Sequence, residues 1–281
     1  MKCAWDEFLQ LVPHWMCNQI KVIGNNSLQE LRLRIGQAPE VISKDRSSRL
    51  TGIVHSADLQ YIINAASHYS PWAASTIAEG YLTGPGGHRI GLCGTAIVKN
   101  GEMTGISLPT SLCIRVAKDF PGIAKSVYPT GSVLVIGSPG SGKSTFLRDL
   151  IRIRSETGRG SVAVVDERGE LFPQVNGHPC FDAGCRTDVL TGCGKKRGIS
   201  MLLRTMGPSC IAVDEITAEE DTQALLHAAW CGVDLLATAH AGSKKDLFSR
   251  QIYQPVLACK LFQTLVILNS DKTWAQERMG A

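Results

Sequence analysis

Hydrophobic and polar positions divide the chain into two textures. Over residues 28–35 they alternate, with Leu31, Leu33 and Ile35 on one side and Arg32 and Arg34 on the other. A period of two marks a half-buried strand. Residues 57–68 set Leu59, Ile62 and Ile63 among polar neighbours, with Ser56 in position to cap a helix. From Tyr81 onward, strand-like runs are split by Gly84-Pro85-Gly86-Gly87 and by Asn100-Gly101. The second pair predicts a two-residue hairpin turn between residues 95–98 and 103–106. A third run, 111–116, ends this half. Past the turn-forming Tyr128-Pro129-Thr130-Gly131 the texture changes to short apolar strands alternating with helices, the pattern of a parallel sheet with crossover helices. The clearest strands are 133–136, 162–165, 211–213 and 235–238, with a fifth at 265–268. The first four lead straight into polar or glycine-rich residues, and open parallel sheets collect ligands at those carboxyl ends. The expected organisation is a small α+β N-terminal domain over 1–128 on antiparallel strands, then an α/β domain over 131–281 with a mostly parallel sheet.

Composition narrows the classes. In 281 residues, 44% hydrophobic and 19% charged positions suit a globular chain with a core and exclude disorder. A net charge of +4 and 6% aromatics argue against a nucleic-acid partner. Lys195-Lys196-Arg197 and Lys244-Lys245 read as solvated loops. No run approaches the roughly 18–20 apolar residues of a bilayer span, since the best stretch, 256–268, is short and holds Lys260. The N-terminus turns acidic at Asp6-Glu7, unlike a signal peptide, so a cytoplasmic protein is expected. Of ten cysteines, Cys93, Cys113, Cys210, Cys231 and Cys259 sit in apolar runs, where they are expected to behave as small hydrophobes. His178, Cys180, Cys185 and Cys193 crowd one region at spacings that match no standard zinc site. Trp5, Phe8, Leu9, Val12 and Trp15 form an amphipathic face around Pro13, expected to pack into the core.

Chemistry enters at Gly137-Ser138-Pro139-Gly140-Ser141-Gly142-Lys143-Ser144, which fits G-x-x-x-x-G-K-[ST] without departure. An apolar strand feeds it and a helical stretch from Thr145 leaves it. Glycines let backbone N–H groups curl around an anion, and the helix N-terminus adds its positive dipole end. Residues 137–145 are therefore the candidate Mg-ATP site, with Lys143 for the β/γ-phosphates and Ser144 as a Mg²⁺ ligand. Hydrolysis needs more groups. Asp214-Glu215 ends an apolar strand, where Asp214 is the second candidate Mg²⁺ ligand and Glu215 can polarise water or join the metal shell. Asp166-Glu167 repeats the pattern on another strand, with Glu167 favoured over Asp166 as general base. His240, ending a third strand, is a candidate γ-phosphate sensor.

In order, the phosphate loop, Asp166-Glu167-Arg168-Gly169-Glu170, Leu202-Leu203-Arg204 before Pro208, residues 211–216 and Thr238-Ala239-His240-Ala241 resemble the secretion and pilus-motor ATPases. Gly86-Gly87-His88-Arg89-Ile90-Gly91-Leu92-Cys93-Gly94 and Arg186-Thr187-Asp188-Val189-Leu190 look like the stage III sporulation protein AA family of endospore formers. The resemblance covers roughly residues 25–270 and implies a RecA-like core behind a small N-terminal domain. It also implies a homo-oligomeric ring, a hexamer, with nucleotide between neighbouring units. Arg89, Arg115 and Arg204 are then candidates to reach the γ-phosphate of a neighbour. The motor ATPases have Gly-Glu in place of Asp214-Glu215 and the reverse order of Asp166-Glu167, so the division of labour within each pair stays open. The implied setting is the mother-cell cytoplasm, at the forespore membrane, on a membrane-protein partner from an export-like channel. The competing readings are a RecA-like NTPase driven by nucleic acid and a nucleotide-dependent assembly scaffold.

Overall fold

The computed structural model describes residues 1–43, 46–67, 77–78, 80–127, 130–158, 160–175 and 178–279. They group into two compact units, one of Met1–Asp119 with Gln174–Cys180 and one of Phe120–Pro173 with Phe181–Ala281.

In the first unit, helices α1 (Trp5–Leu11) and α2 (His14–Ile23) flank Pro13, and α3 (Ser56–Ser67) follows later. The antiparallel sheet contains β1 (Leu28–Arg34), β2 (Glu40–Ser43), β3 (Ser47–Arg49), β4 (Tyr81–Thr83), β5 (Arg89–Lys99) and β6 (Glu102–Arg115), in the order β3-β2-β1-β6-β5-β4. Alternation in β1 sends Leu31 and Leu33 into a core with Phe8, Leu11, Val12, Met16, Ile20, Leu59 and Ile62. Ile35 lies past the strand and is exposed. Ser56 begins α3 instead of capping it; Asp58 accepts the N–H of His55 at 2.8 Å. Asn100 and Gly101 have φ of 54° and 83°, the pair of positive values a tight hairpin turn demands.

The runs expected separately at 103–106 and 111–116 form one strand. A bulge makes this possible: pairing moves from Thr95↔Ser107 to Cys93↔Ser111, with Leu108 at φ 45°. Gly94 faces the bulge so closely that a Cβ there would lie 2.7 Å from the Leu108 carbonyl oxygen. His88 is fully buried and ties distant backbone together. Its Nδ1 accepts the N–H of Ala117 at 3.0 Å, and its Nε2, 2.8 Å from the Ala4 carbonyl, donates. Burial holds its pKa below the ordinary value. Two short antiparallel strands, β9 (Gln174–Val175) and β10 (His178–Pro179), also belong to this unit.

The second unit is a seven-stranded sheet of β7 (Val133–Gly137), β8 (Val162–Asp166), β11 (Thr187–Thr191), β12 (Cys210–Val213), β13 (Asp234–His240), β14 (Thr264–Leu268) and β15 (Trp274–Arg278). Its order is β11-β8-β12-β13-β7-β14-β15, parallel except for the antiparallel edge β15. The helices are α4 (Lys143–Thr157), α5 (Lys195–Thr205), α6 (Glu219–Trp230), α7 (Lys244–Ser249) and α8 (Gln254–Ala258). Leu134, Ile136, Val165, Ile211 and Leu235 join one core, whereas Val133, Val135, Val164, Ala212 and Leu236 join another with Phe146 and Leu147. Apolar contact on both faces is why these strands read as unbroken hydrophobic runs.

The sequence-based boundary at 128–131 differs from the grouping. Gly122 and Ala124 donate backbone N–H bonds to the buried Asp149 carboxylate at 2.9 Å, and Ala124 and Val127 are buried in the second unit. Residues 120–127 therefore go with the downstream unit. Tyr128 and Pro129 of the expected turn, and His68 of the expected helix, lie outside the described residues. Lys195-Lys196-Arg197 and Lys244-Lys245 open helices instead of lying in loops. The cysteine expectation also needs correcting: Cys210 is buried, its thiol pushed up to about 12 by burial, while Cys93, Cys231 and Cys259 are exposed.

Candidate functional site

The strand order brings four carboxyl ends together. β7 delivers Gly137 to the sheet edge, residues 138–142 turn back, and α4 begins at Lys143. Gly140 and Gly142 adopt φ of 74° and 102°, which glycine adopts freely. Gly137 has no room for a side chain: a Cβ would lie 2.4 Å from the Ser141 hydroxyl and 2.9 Å from the Leu268 carbonyl. The Ser141 hydroxyl, packed against Gly137, is buried without a hydrogen-bond partner. Ser144 and Thr145 follow in the first turn of α4.

Lys143 is almost wholly buried. Its ammonium donates to the carbonyls of Gly137 (2.9 Å) and Ser138 (3.0 Å) and to Nδ1 of His240 (3.0 Å). Desolvation lowers its pKa, and the nearby Glu215 and Asp214 oppose the shift. Because the lysine donates to Nδ1, the His240 proton sits on Nε2, which meets Glu215 Oε1 at 2.5 Å. One chain of contacts thus runs from Lys143 through His240 to Glu215, whose other oxygen is 3.9 Å from Arg168.

Thr238 links the acidic pair. Its buried hydroxyl accepts the N–H of Glu215 at 2.8 Å and donates to Asp214 Oδ1 at 2.7 Å. Glu215 has φ 42°, a conformation of order 1–3 kcal/mol uphill for a non-glycine residue and held only where its surroundings over-determine it. Register makes the link: Val213 pairs with Ala237, so residues 214–215 fall beside 238.

The second acidic pair divides differently. Asp166 is buried and accepts N–H bonds from Glu170 (2.9 Å), Leu171 (3.1 Å) and Phe172 (2.8 Å), closing the turn after β8. Burial raises its pKa to about 6, against those hydrogen bonds. Glu167 is exposed and pairs with Lys195 at 2.6 Å; Lys195, nearly buried, also lies 3.6 Å from Asp221. Glu167, Asp214, Glu215, Arg168 and Lys195 line one cavity with Asp166. The candidate donors Ser144 and Asp214 offer hard oxygens, a type that suits Mg²⁺. Among the described residues no group of three or more His, Cys, Asp or Glu side chains converges on a metal position. His178 and Cys180 belong to the first unit, Cys185 and Cys193 to the second.

The three candidate arginines are placed differently from one another. Arg89 stacks over the Tyr81 ring, 4.1 Å from its centroid, and Arg115 lies 3.4 Å from Glu30, both in the first unit. Arg204 donates to the carbonyl and hydroxyl of Ser200, one turn back on α5. Sequence reasoning overlooked Thr238, Lys195 and Arg168 as parts of the site. Only Thr238 carried a signal, a hydroxyl interrupting the apolar run Leu235-Leu236-Ala237.

Comparison with known proteins follows the same lines. Residues 15–278 match the family described as sporulation stage III, protein AA. Stage III sporulation protein AA of Bacillus subtilis (strain 168) is 35% identical over 260 residues, 87% of this chain and 84% of that protein. The Legionella pneumophila ATPase DotB superposes with a TM-score of 0.61 at 17% identity, over 95% of this chain and 80% of that one. The pilus retraction motor PilT, solved with ADP, gives 0.60 at 16% identity, over 89% and 76%. The fold is the α/β, RecA-like fold of secretion ATPases.

Proposed function

Because this chain belongs to the sporulation stage III protein AA family, we propose that it is a Mg-ATP-hydrolysing motor of the secretion-ATPase kind. The observation that carries the reading is the unbroken contact chain Lys143–His240–Glu215, set beside Asp214 at the carboxyl ends of neighbouring parallel strands. In this reading the backbone N–H groups of residues 138–145 and the Lys143 ammonium bind the β- and γ-phosphates. Ser144 and Asp214 would hold Mg²⁺, which would supply neutralisation of charge on those phosphates. Glu215 orients and polarises the attacking water, and His240, in contact with Glu215 through Nε2 and with Lys143 through Nδ1, couples the position of the carboxylate to that of the ammonium. Glu167, with Lys195 drawing on its charge, takes the supporting acid–base role.

In this reading a neighbouring copy supplies a further cation to the γ-phosphate. We assign Arg89, Arg115 and Arg204 to that contact in a hexameric ring. The working domains are an N-terminal domain ending at Asp119, with which Gln174–Cys180 group, and an ATPase domain from Phe120 onward. Among the described residues no helix is long and apolar enough to cross a membrane. We propose, from the family membership, that it docks on a membrane protein of a sporulation export-like channel, at the forespore membrane, from the mother-cell cytoplasm.

ATP turnover by wild-type and Lys143→Ala protein, across a concentration series with mass measured at each point, tests this. Turnover should rise as rings form and fall by at least about 100-fold in the variant. Absence of turnover in assembled rings overturns the motor and favours a scaffold; stimulation by DNA or RNA with steep salt dependence favours a nucleic-acid motor.

A further inference from the structure

The turn joining β14 to β15 is built against the glycine loop. β14 pairs in parallel with β7 as far as Leu268 opposite Gly137, the loop's first residue. At the other end of the turn, Trp274 packs edge-on against Phe146 of α4, with ring centroids 5.1 Å apart. Both anchors of the turn thus stand on the elements that enter and leave the loop.

Between them the turn is braced within itself. Asn269 N–H donates to the Thr273 carbonyl (2.9 Å) and Lys272 N–H to the Asn269 carbonyl (3.1 Å). Asp271 accepts from the Thr273 N–H (2.9 Å) and hydroxyl (2.6 Å). Lys272 sits at φ 72°, where glycine or asparagine relieves the backbone and lysine does not. A turn alone has no use for a lysine there. Its side chain has one: Nζ donates to the carbonyl of Gly140, at the loop's apex, at 2.5 Å.

We infer that Lys272 is a second cation of the nucleotide site, lying outside the G-x-x-x-x-G-K-S motif, which holds the loop's apex and attracts the polyphosphate of the bound nucleotide. The inference rests on reading residues 137–145 as a nucleotide site. Lys143 supplies charge from within the loop, against Gly137, Ser138 and His240; Lys272 supplies it from the rim, on a different carbonyl. The pull acts on the charge of the phosphates and so concerns binding more than the chemical step. It affects ATP and ADP alike and is screened by salt.

The test is fluorescence titration of the full chain with a fluorescent ATP analogue and its ADP counterpart, at low and high salt. Lys272→Gln keeps a donor for Gly140 but removes the charge, and should weaken both affinities about fivefold at low salt, less at high salt. Lys272→Arg should bind within about twofold of wild type. Lys272→Gly, which relaxes the backbone, should melt no lower than wild type without nucleotide yet bind as weakly as the glutamine variant. Wild-type affinity in Lys272→Gln overturns the inference, as does a loss that Lys272→Arg shares in full. Failure of the wild-type chain to bind either nucleotide, checked against Lys143→Ala, overturns the reading of the loop itself and this inference with it.

Discussion

Thr238 performs two tasks with one hydroxyl: it fixes the side chain of Asp214 and the backbone of Glu215. Valine has nearly the same shape and neither hydrogen bond, so Thr238→Val takes the partner from a half-buried Glu215 N–H and frees Glu215 from its positive φ. We expect kcat to fall by about tenfold or more with KM little changed, and Thr238→Ser to restore most of it. Equal loss in the serine variant would mean that the methyl packing, and not the hydroxyl, matters. This residue also shows the limit of reading a site from sequence. Residues 137–145 were legible because their contacts are local and their spacing is fixed. Thr238 becomes part of the site only through the β12–β13 register, which no window of sequence contains. Asp166 and Glu167 were legible as a pair with Glu167 favoured for chemistry, but the use of Asp166 was not, because the three N–H donors that draw it into the turn come from residues 170–172.

At the level of elements, legibility followed burial. Strands β7, β8, β12, β13 and β14 are covered on both faces and read as apolar runs. β11 and β15 lie at the sheet edges and carry Thr187, Asp188, Gln276 and Glu277 among their residues, so periodicity passed over them. The β5–β6 ribbon was read in pieces because its bulge breaks the alternation at Leu108. That bulge makes a sharp demand on Gly94, where an added Cβ would meet the Leu108 carbonyl oxygen, the Pro109 Cα and an Ile106 methyl at 2.7–2.9 Å. Two of those atoms are backbone and cannot rotate away. Gly94→Ala should therefore destabilise the first unit by about 2 kcal/mol or more and strip hydrogen-exchange protection from residues 93–111. A melting temperature and protection pattern equal to wild type would contradict the bulge.

For the whole molecule, two buried titratable groups give the two units opposite responses to acid. His88 has a lowered pKa in the fold. The unfolded chain takes up its proton near the ordinary value of about 6.5 while the fold resists, so stability of the first unit is lost as pH drops through that range. Asp166 has its pKa raised to about 6. The fold binds that proton before the unfolded chain does, so this contribution to the second unit is absent above about 6 and grows as pH falls toward the ordinary carboxylate value. Calorimetry from pH 7 to 5 should find the first unit's transition moving down, a trend much reduced in His88→Gln. The Asp166→Asn variant should lose the opposing acid response of the second unit. The strand order has a consequence of another kind. The strand that carries the glycine loop, Val133–Gly137, takes its neighbours from Asp234–His240 and Thr264–Leu268. During synthesis the ribosome releases the loop and its helix well before the strands that clamp them. Each nascent chain thus passes through an interval in which an apolar ribbon has no partner and is open to chaperones and proteases, and the proposed nucleotide site can form only once Thr264–Leu268 has been made.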